Sequence, residues 1–352
     1  MVYFLSRKAE CIMEYREILE NARKTMAPNC RVCRECNGIA CRGEIPGTGG
    51  KGTGSSFTHS YEYLASIKIH MDLLYTDRGQ DTSCSFFDKT FAGPVFAAPI
   101  SGLSNNYNGY LNEKTYAEAL VPGTIAAGCA AFTGDGAADY YFTDPLTAVA
   151  AAGGAAVPTI KPWDREKVLE KIHLAEQAGA MALCMDIDSA GLPLLAAAGK
   201  PVCSKDVDEL KAILASTKLP FLLKGIMTPE GARKAVETGA YGIVVSNHGG
   251  RVLDHTPAPA EMLPAIRDAV GTRVKIFVDG AIRTGVDVFK ALALGADAVL
   301  IGRPYVVAAC GGGAEGVTVY TQKVLAELRD VMKMTGCATL SDITRDKITW
   351  NR

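Results

Sequence analysis

The fold is decided by residues 221–301, whose sequence is FLLKGIMTPEGARKAVETGAYGIVVSNHGGRVLDHTPAPAEMLPAIRDAVGTRVKIFVDGAIRTGVDVFKALALGADAVLI. Short apolar runs alternate here with segments whose apolar residues recur at helical spacing. This alternation is typical of repeated βα units around a parallel sheet. It extends back to Gly93 and predicts eight strands: Val95–Pro99, Ala130–Thr133, Ala156–Ile160, Ala182–Asp186, Phe221–Lys224, Gly242–Ser246, Lys275–Asp279 and Ala298–Ile301.

Helices are predicted between and after these strands, at Asn112–Ala127, Arg165–Ala178, Asp206–Ser216, Pro229–Thr238, Ala260–Val270, Gly285–Leu294 and Ala314–Met334. Gly179, Gly239 and Gly295 lie where glycine commonly ends a helix. Eight strands of this kind predict an α/β fold of the (β/α)8 TIM-barrel type. The alternative is a doubly wound sheet, but no glycine-rich fingerprint follows the first strand.

The N-terminal part of the chain has a different pattern. Residues 1–92 are predicted to form a helical and Cys/Gly-rich extension, and residues 93–352 the barrel domain. Glu10–Met26 has one apolar helical face, and the Cys- and Gly-rich stretch Cys30–Gly54 reads as a loop. Tyr61–Leu74 is predicted to contain a short helix and a strand.

Charge and composition exclude two classes of partner. The 352 residues include 37 Lys+Arg and 38 Asp+Glu, a net charge of -1, so no broad positive field would attract nucleic acid or an anionic membrane. The longest apolar stretches fall short of the ~18 residues of a membrane span. No signal peptide is evident near the first residues, which predicts a cytoplasmic location.

The carboxyl ends of the predicted strands carry the polar groups. In a barrel these ends meet at one mouth, where ligands bind. The residues expected there are Pro99, Ile100, Ser101, Thr133, Thr159, Asp186, Lys224, Ser246, His248, Arg251, Asp279, Gly280, Arg283, Gly302 and Arg303.

The last two strand ends predict a phosphate site. Gly280 and Gly302 let backbone N–H groups approach an anion closely, and Arg283 and Arg303 add charge-assisted hydrogen bonds. The alternative is that both arginines form surface ion pairs.

The segment Ser246–Arg251 predicts acid–base chemistry. His248 can titrate near neutral pH, Gly249 and Gly250 bring the backbone close to a ligand, and Arg251 can grip a carboxylate through two nitrogens. This combination indicates a general base placed beside a group that binds a carboxylate. A lone histidine at a strand end would more often be structural.

These motifs resemble a known family. The sequence SNHGGRVLD at 246–254, preceded by KGI at 224–226 and followed by DGAIRTG at 279–285 and GRP at 302–304, is similar to that of the FMN-dependent α-hydroxy-acid oxidases and dehydrogenases. The resemblance covers residues 94–335 and is specific in residues 221–305. It implies bound FMN, oxidation of a small 2-hydroxy acid, and assembly into a homo-oligomer, commonly a tetramer.

The resemblance also implies roles for individual residues. His248 would be the base, Arg251 would bind the substrate carboxylate, and Lys224 would stabilise charge on the flavin. Asp186 matches the aspartate that orients the catalytic histidine, with a helix-side cap as its alternative role. Ser246 would also approach the flavin.

Several family features are missing. Members usually have a substrate-binding tyrosine in the N-terminal segment and another at the end of the third strand; this chain has the Cys/Gly-rich stretch in the first region and Pro158-Thr159-Ile160-Lys161 in the second, and neither tyrosine is evident. A flavin-contacting glutamine is also absent, and Cys184 replaces a common threonine. Thr133 and Thr159 are expected to compensate. The substrate pocket is therefore predicted to be rebuilt.

Four cysteines have no counterpart in the family pattern. Cys30, Cys33, Cys36 and Cys41 have the spacing C-x2-C-x2-C-x4-C. Four such thiolates can hold an iron–sulfur cluster or a structural zinc ion, and unligated thiols are the third alternative. If a cluster forms, a protein could accept electrons from it in place of oxygen.

Two other functions compete with hydroxy-acid oxidation. One is flavin-dependent isomerisation of a diphosphate, as in type 2 isopentenyl diphosphate isomerase. The other is a non-catalytic flavin- or metal-binding sensor. The intact pair of His248 and Arg251 argues against the isomerase.

Overall fold

The chain begins with helices and short strands that lie outside the barrel. The structure, a computed structural model, describes residues 13–199 and 202–350. The elements that precede the barrel are α1 (Tyr15–Met26), α2 (Ser55–Ser66), β1 (Lys68–Ile69), β2 (Cys84–Phe86) and β3 (Lys89–Phe91). The Cys- and Gly-rich stretch between α1 and α2 contains no helix or strand, as predicted. The predicted first helix starts later than expected, at Tyr15, and residues 10–12 lie outside the described residues.

Eight parallel strands then close into a barrel, which confirms the predicted fold. They are β4 (Val95–Ala97), β5 (Ala130–Thr133), β6 (Ala156–Ile160), β7 (Leu183–Asp186), β8 (Phe221–Ile226), β9 (Gly242–Val245), β10 (Lys275–Val278) and β11 (Ala298–Ile301). Each strand pairs with the next in the chain, and β11 pairs with β4 through Val299 and Val95 to complete the ring. Nearly all strand residues are buried, because helices cover the outer face and side chains fill the interior.

Each barrel strand is followed by a helix. These helices are α4 (Glu113–Ala126), α5 (Tyr140–Ala151), α6 (Arg165–Gln177), α8 (Val207–Leu214), α9 (Pro229–Glu237), α10 (Pro259–Val270), α11 (Gly285–Leu294) and α12 (Arg303–Met334). Two shorter helices, α3 (Leu103–Asn106) and α7 (Pro193–Ala197), lie in loops at the mouth, and β12 (Ile348–Thr349) pairs with β1 near the C-terminus.

Two helices differ from the prediction. The sequence of α5 is YYFTDPLTAVAA, which is apolar on several sides and interrupted by Pro145, so it lacks the period that would have predicted a helix. Helix α12 begins at Arg303 and is kinked at Gly312 and Gly313, whose backbone angles are not helical, so the predicted helix Ala314–Met334 is confirmed as its second part and only the first part was not predicted. The glycines near its start serve close packing: a Cβ on Gly311 would lie 2.1 Å from the carbonyl oxygen of Ile18 in α1.

Aromatic side chains close the end of the barrel opposite the mouth. Phe86 and Phe87 of the β2–β3 hairpin pack against Phe96 and Phe277 inside the barrel, with ring centroids 5.1–6.4 Å apart. This packed floor leaves the carboxyl ends of the strands as the open end. Within residues 13–199 and 202–350, no helix is long and apolar enough to cross a bilayer.

Candidate active site

The turn after β9 holds a histidine in a conformation that few residues adopt. His248, Gly249 and Gly250 have φ values of 57°, 61° and 76°, and a non-glycine residue in this region indicates local strain. A Cβ on Gly250 would lie 2.8 Å from the backbone nitrogen of Phe57, and one on Gly249 would lie 2.6 Å from Arg303 Nη1. Glycine is therefore required at Gly250, where the obstacle is backbone, and is favoured at Gly249 by its positive φ.

The side chain of Asn247 stabilises this turn through hydrogen bonds. Its side-chain oxygen accepts a hydrogen bond from the Gly250 backbone N–H, at 3.2 Å. Its Nδ2 lies within hydrogen-bonding distance of Ser60 Oγ and Thr256 Oγ1, at 3.3 and 3.1 Å. The buried amide therefore ties the strained turn to α2 and to the following loop.

Two carboxylates face the imidazole of His248. Nδ1 lies 2.9 Å from Asp188 Oδ1 and 3.5 Å from Asp186 Oδ1. Asp186 was expected to orient the ring; it lies beside the ring, but Asp188 is the closer partner. Burial lowers the pKa of His248, and the charges of Asp186 and Asp188 outweigh burial and raise it above its ordinary value.

Asp186 is at the centre of a buried ion network. Lys224 Nζ lies 2.9 Å from its Oδ1, and Lys161 Nζ lies 2.9 Å from its Oδ2. Lys161 also donates to Ser189 Oγ at 2.9 Å. Burial would raise the pKa of Asp186, but His248 and the two ammonium groups hold it well below its ordinary value.

The two carboxylates and His248 together are the only three-residue group in the described chain with the spacing of a metal site. Ligand atoms of Asp186, Asp188 and His248 lie within 4.8 Å of one another. Lys161 and Lys224 already neutralise this cluster, so a further cation would meet two ammonium groups. The arrangement is therefore suited to orienting His248.

Arg251 is held by the N-terminal loop. Its Nη1 donates to the carbonyl oxygens of Gly47 and Gly49, at 2.8 and 2.9 Å, and its Nη2 donates to Asn106 Oδ1 at 3.0 Å. Burial, with the nearby charge of Arg303, lowers its pKa to about 10. Its Nε–H makes no hydrogen bond within the described part of the chain, and this edge is available for a carboxylate.

The predicted phosphate residues lie together at the ends of β10 and β11. Gly280 and Ala281 have φ values of 93° and 62°, and a turn of this kind can present backbone N–H groups to an anion. The guanidinium of Arg283 donates to the carbonyl oxygen of Cys36, and that of Arg303 donates to the carbonyl oxygens of Thr48, Gly49 and Gly249. Both arginines are half-buried and are hydrogen-bonded to the N-terminal loop. The alternative that they form ion pairs at the surface is therefore wrong.

A cavity of about 250 Å³ joins these groups. Most of the predicted site residues line it: Pro99, Ile100, Ser101, Thr159, Asp186, Lys224, His248, Arg251, Asp279, Gly280, Arg283, Gly302 and Arg303. Thr133 and Ser246 do not line it. Both are buried at the strand ends beneath it, and Ser246 Oγ accepts a hydrogen bond from the backbone N–H of His248.

Buried polar atoms without partners test whether a flavin fits: Thr159 and Asp279 line the cavity, Thr133 ends β5, and Asp188 follows β7. The hydroxyls of Thr133 and Thr159, Oδ2 of Asp188 and Oδ1 of Asp279 are buried and have no hydrogen-bond partner among the described residues. Leaving such atoms unpaired costs about 1–3 kcal/mol each. Hydroxyls, a lysine, glycine N–H groups and two arginines match the polar edge and phosphate of FMN, so the residues present fit this cofactor.

Several site residues were not predicted. Asp188 and Ser189 belong to a 3-10 turn, Ile187–Gly191, that directly follows β7. Tyr107, at the end of α3, and Tyr141, in α5, also line the cavity. Neither lies in the two segments where the family has its substrate-binding tyrosines. The spacing Asp186-x-Asp188 at a strand end was the one signal in the sequence that could have indicated the second carboxylate.

The four N-terminal cysteines lie beside this site rather than in it. All four line a second cavity of about 470 Å³, which shares Tyr107, Ala281, Arg283 and Arg303 with the first. In the described chain, no three of their sulfur atoms lie within 4.8 Å of one another. The structure thus contains no preformed tetrahedral zinc site at these cysteines.

Comparison with known proteins identifies the family. The sequence profile of the FMN-dependent dehydrogenases matches residues 47–195 and 196–350. The chain belongs to the FMN-dependent dehydrogenase family. This confirms the resemblance inferred from the motifs around His248. FMN is the cofactor of this family, and the residues of the cavity described above fit it.

Members of this family with curated functions match part of the chain closely. An L-lactate oxidase of Alicycliphilus denitrificans is 53% identical over 142 residues, which are 40% of this chain and 39% of that protein. A peroxisomal (S)-2-hydroxyacid oxidase of Arabidopsis thaliana is 47% identical over 144 residues, 41% of this chain and 39% of that protein. The matched stretch therefore spans about two fifths of the length of these relatives.

Solved structures match over nearly the whole chain. A crystal structure of a mandelate oxidase variant with 2-hydroxy-phenylacetamide has a TM-score of 0.78 and 28% identity, and the match covers 96% of this chain and 98% of that one. A mandelate oxidase variant with a monooxide FMN adduct has a TM-score of 0.72 and 31% identity, over 87% of this chain and 94% of that one. The barrel of this FMN-dependent dehydrogenase is thus shared with enzymes whose structures contain FMN.

Proposed function

We propose that this FMN-dependent dehydrogenase oxidises a small 2-hydroxy carboxylic acid to the 2-oxo acid, with His248 as the base. The observation that carries the proposal is the hydrogen bond of His248 Nδ1 to Asp188, at 2.9 Å. Because the carboxylates hold Nδ1, Nε2 is the nitrogen that can accept a proton from a substrate hydroxyl. The lactate, glycolate and 2-hydroxyacid oxidases among its relatives support this reaction class.

The residues of the site have separate roles in the proposed reaction. Arg251 binds the carboxylate through its Nε edge while Gly47, Gly49 and Asn106 keep the guanidinium in place. Asp186 and Asp188 orient the ring of His248 and stabilise its charge after it takes the hydroxyl proton. FMN, when bound, supplies the hydride acceptor.

The remaining predicted residues would hold the cofactor. Thr133, Thr159 and Asp279 offer unpaired atoms to it, and Lys224 and Ser246 lie at adjacent strand ends. Pro99, Ile100 and Ser101 form one wall of the cavity, and Gly280, Arg283, Gly302 and Arg303 would surround the phosphate. Assembly into a tetramer, a protein electron acceptor and a cytoplasmic location stay predictions; light scattering and assays with oxygen and protein acceptors test the first two.

Anaerobic flavin bleaching tests the proposed function. Purified protein with its native flavin is mixed without oxygen with L- and D-lactate, glycolate and mandelate in turn. Loss of oxidised-flavin absorbance with one of these acids, together with formation of the 2-oxo acid, supports the proposal. If the protein instead isomerises a diphosphate without net reduction of its flavin, that result would contradict the proposed function.

A further inference from the structure

The second cavity is built around the cysteines that the proposed oxidation does not use. Cys30, Cys33, Cys36 and Cys41 all line it, and none forms a disulfide. The chain between them turns back on itself at Val32 and Gly38, whose φ values are 43° and 84°. These turns bring four thiols from twelve residues of sequence to one space.

The spacing of the sulfur atoms distinguishes the kinds of metal site. Four thiolates on one zinc ion, with Zn–S bonds of ~2.3 Å, lie about 3.8 Å apart. Here no three of the four sulfurs lie within 4.8 Å of one another. In an iron–sulfur cluster the thiolates bind different irons around a larger core and therefore stand further apart. The absence of a tight three-sulfur group among the described residues disfavours a single zinc ion, and a cavity of about 470 Å³ lined by all four cysteines has room for a cluster.

The walls of this cavity carry an excess of positive charge. The cationic side chains that line it are Arg31, Arg34, Arg283, Lys290, Arg303 and Lys323, and the carboxylates are Glu35 and Asp287. A cluster with four thiolate ligands is an anion, which cationic walls stabilise.

The cysteine segment also contacts the proposed active site. Arg283 donates from Nε and Nη2 to the carbonyl oxygen of Cys36, at 3.2 and 3.1 Å. The carbonyl oxygen of Cys41 lies so close to Gly49 that a Cβ there would be 1.8 Å away. Gly49 in turn accepts a hydrogen bond from Arg251. The position of the cysteines thus affects both arginines.

We propose that Cys30, Cys33, Cys36 and Cys41 bind an iron–sulfur cluster that fixes residues 30–50 against the barrel mouth. The cluster lies behind the phosphate end of the flavin site, across the shared wall of Arg283 and Arg303. Its structural effect is to hold the loop whose carbonyl oxygens position Arg251. This inference goes beyond hydroxy-acid oxidation and does not depend on it.

Metal analysis of two cysteine variants tests the proposal. The full chain is purified without oxygen, and iron, acid-labile sulfide and zinc are measured per chain. Cys33 is exposed and belongs to the motif; Cys203 is equally an exposed free cysteine but lies outside it, so Cys203→Ser is the matched control. We expect more than one iron with an equal amount of sulfide in the wild type and in Cys203→Ser, and a loss of roughly half or more in Cys33→Ser.

Three results would overturn the cluster: stoichiometric zinc without sulfide, metal-free protein with four titratable thiols, or unchanged iron and sulfide in Cys33→Ser. Limited proteolysis gives the second readout. Cleavage within residues 30–54 should become faster in Cys33→Ser, while the barrel and its flavin are retained. If that variant does not fold, the cluster is removed from wild-type protein by chelation under oxidising conditions, and unchanged cleavage would then contradict the role in holding the loop.

Discussion

His248 Nδ1 lies 2.9 Å from the carboxylate of Asp188 and 3.5 Å from that of Asp186. A ring nitrogen between two carboxylates makes the imidazole a stronger base and fixes which nitrogen faces the cavity. Each carboxylate has a different supporting environment. Asp186 is neutralised by two lysines, whereas Asp188 keeps one buried oxygen without a partner in the described chain.

Replacing Asp188 with Asn should shift the pH dependence of the reaction. The pKa of His248 is raised, so kcat/KM should fall as the pH drops through that value and the base becomes protonated. Removing the Asp188 charge lowers the pKa of His248, so the acidic limb of the profile should move to lower pH. Asp186 still contributes its charge, which makes the shift partial. An acidic limb that stays in place or moves to higher pH would refute the role given to Asp188.

Replacing Lys161 with Met should destabilise the fold. The side chains of Lys161 and Asp186 are 7% and 4% exposed, and removing one partner of a buried ion pair costs about 3–5 kcal/mol. We expect a loss near the lower end, because Lys224 still pairs with Asp186. Urea unfolding measures it, with Lys211→Met as the control, since its pair with Asp208 is exposed. Equal stability of both variants would show that Lys161 does not support the network.

Replacing Arg283 and Arg303 together with Gln should weaken retention of FMN. A hydrogen bond to a charged group contributes about 1.5–3 kcal/mol, so each arginine should account for roughly tenfold or more in the dissociation constant. Fluorescence titration of the flavin-free protein measures this. Arg273→Gln is the control, because Arg273 donates to carbonyl oxygens at the end of α10. Flavin affinity equal to that of the control would show that neither arginine binds the phosphate.

Replacing Arg251 with Lys should raise KM for the hydroxy acid by roughly 10- to 100-fold while the flavin stays bound. A lysine retains the charge, but it cannot bond Gly47, Gly49 and Asn106 and also present an edge to a carboxylate. Steady-state kinetics with the best substrate of the panel gives the answer. An unchanged KM would mean that another group binds the carboxylate.

The strands of the barrel could be predicted because each is a short apolar run, and some are bounded by a polar residue, as β7 is by Asp186 and β9 is by the following Ser246. The contacts of Arg251 could not, since its partners Gly47 and Gly49 lie about 200 residues away and depend on how the N-terminal loop folds. Asp188 was missed for a similar reason. Only the 3-10 turn after β7 directs its side chain to His248.

The most direct test of the account is anaerobic flavin reduction by a 2-hydroxy acid in wild type and His248→Gln. Glutamine keeps a polar side chain but cannot accept the hydroxyl proton, so the flavin should stay bound while its rate of reduction falls by about 100- to 10,000-fold. Stopped-flow absorbance measures both the flavin content and the rate. Bleaching of the variant's flavin at the wild-type rate would contradict the assignment of His248 as the base.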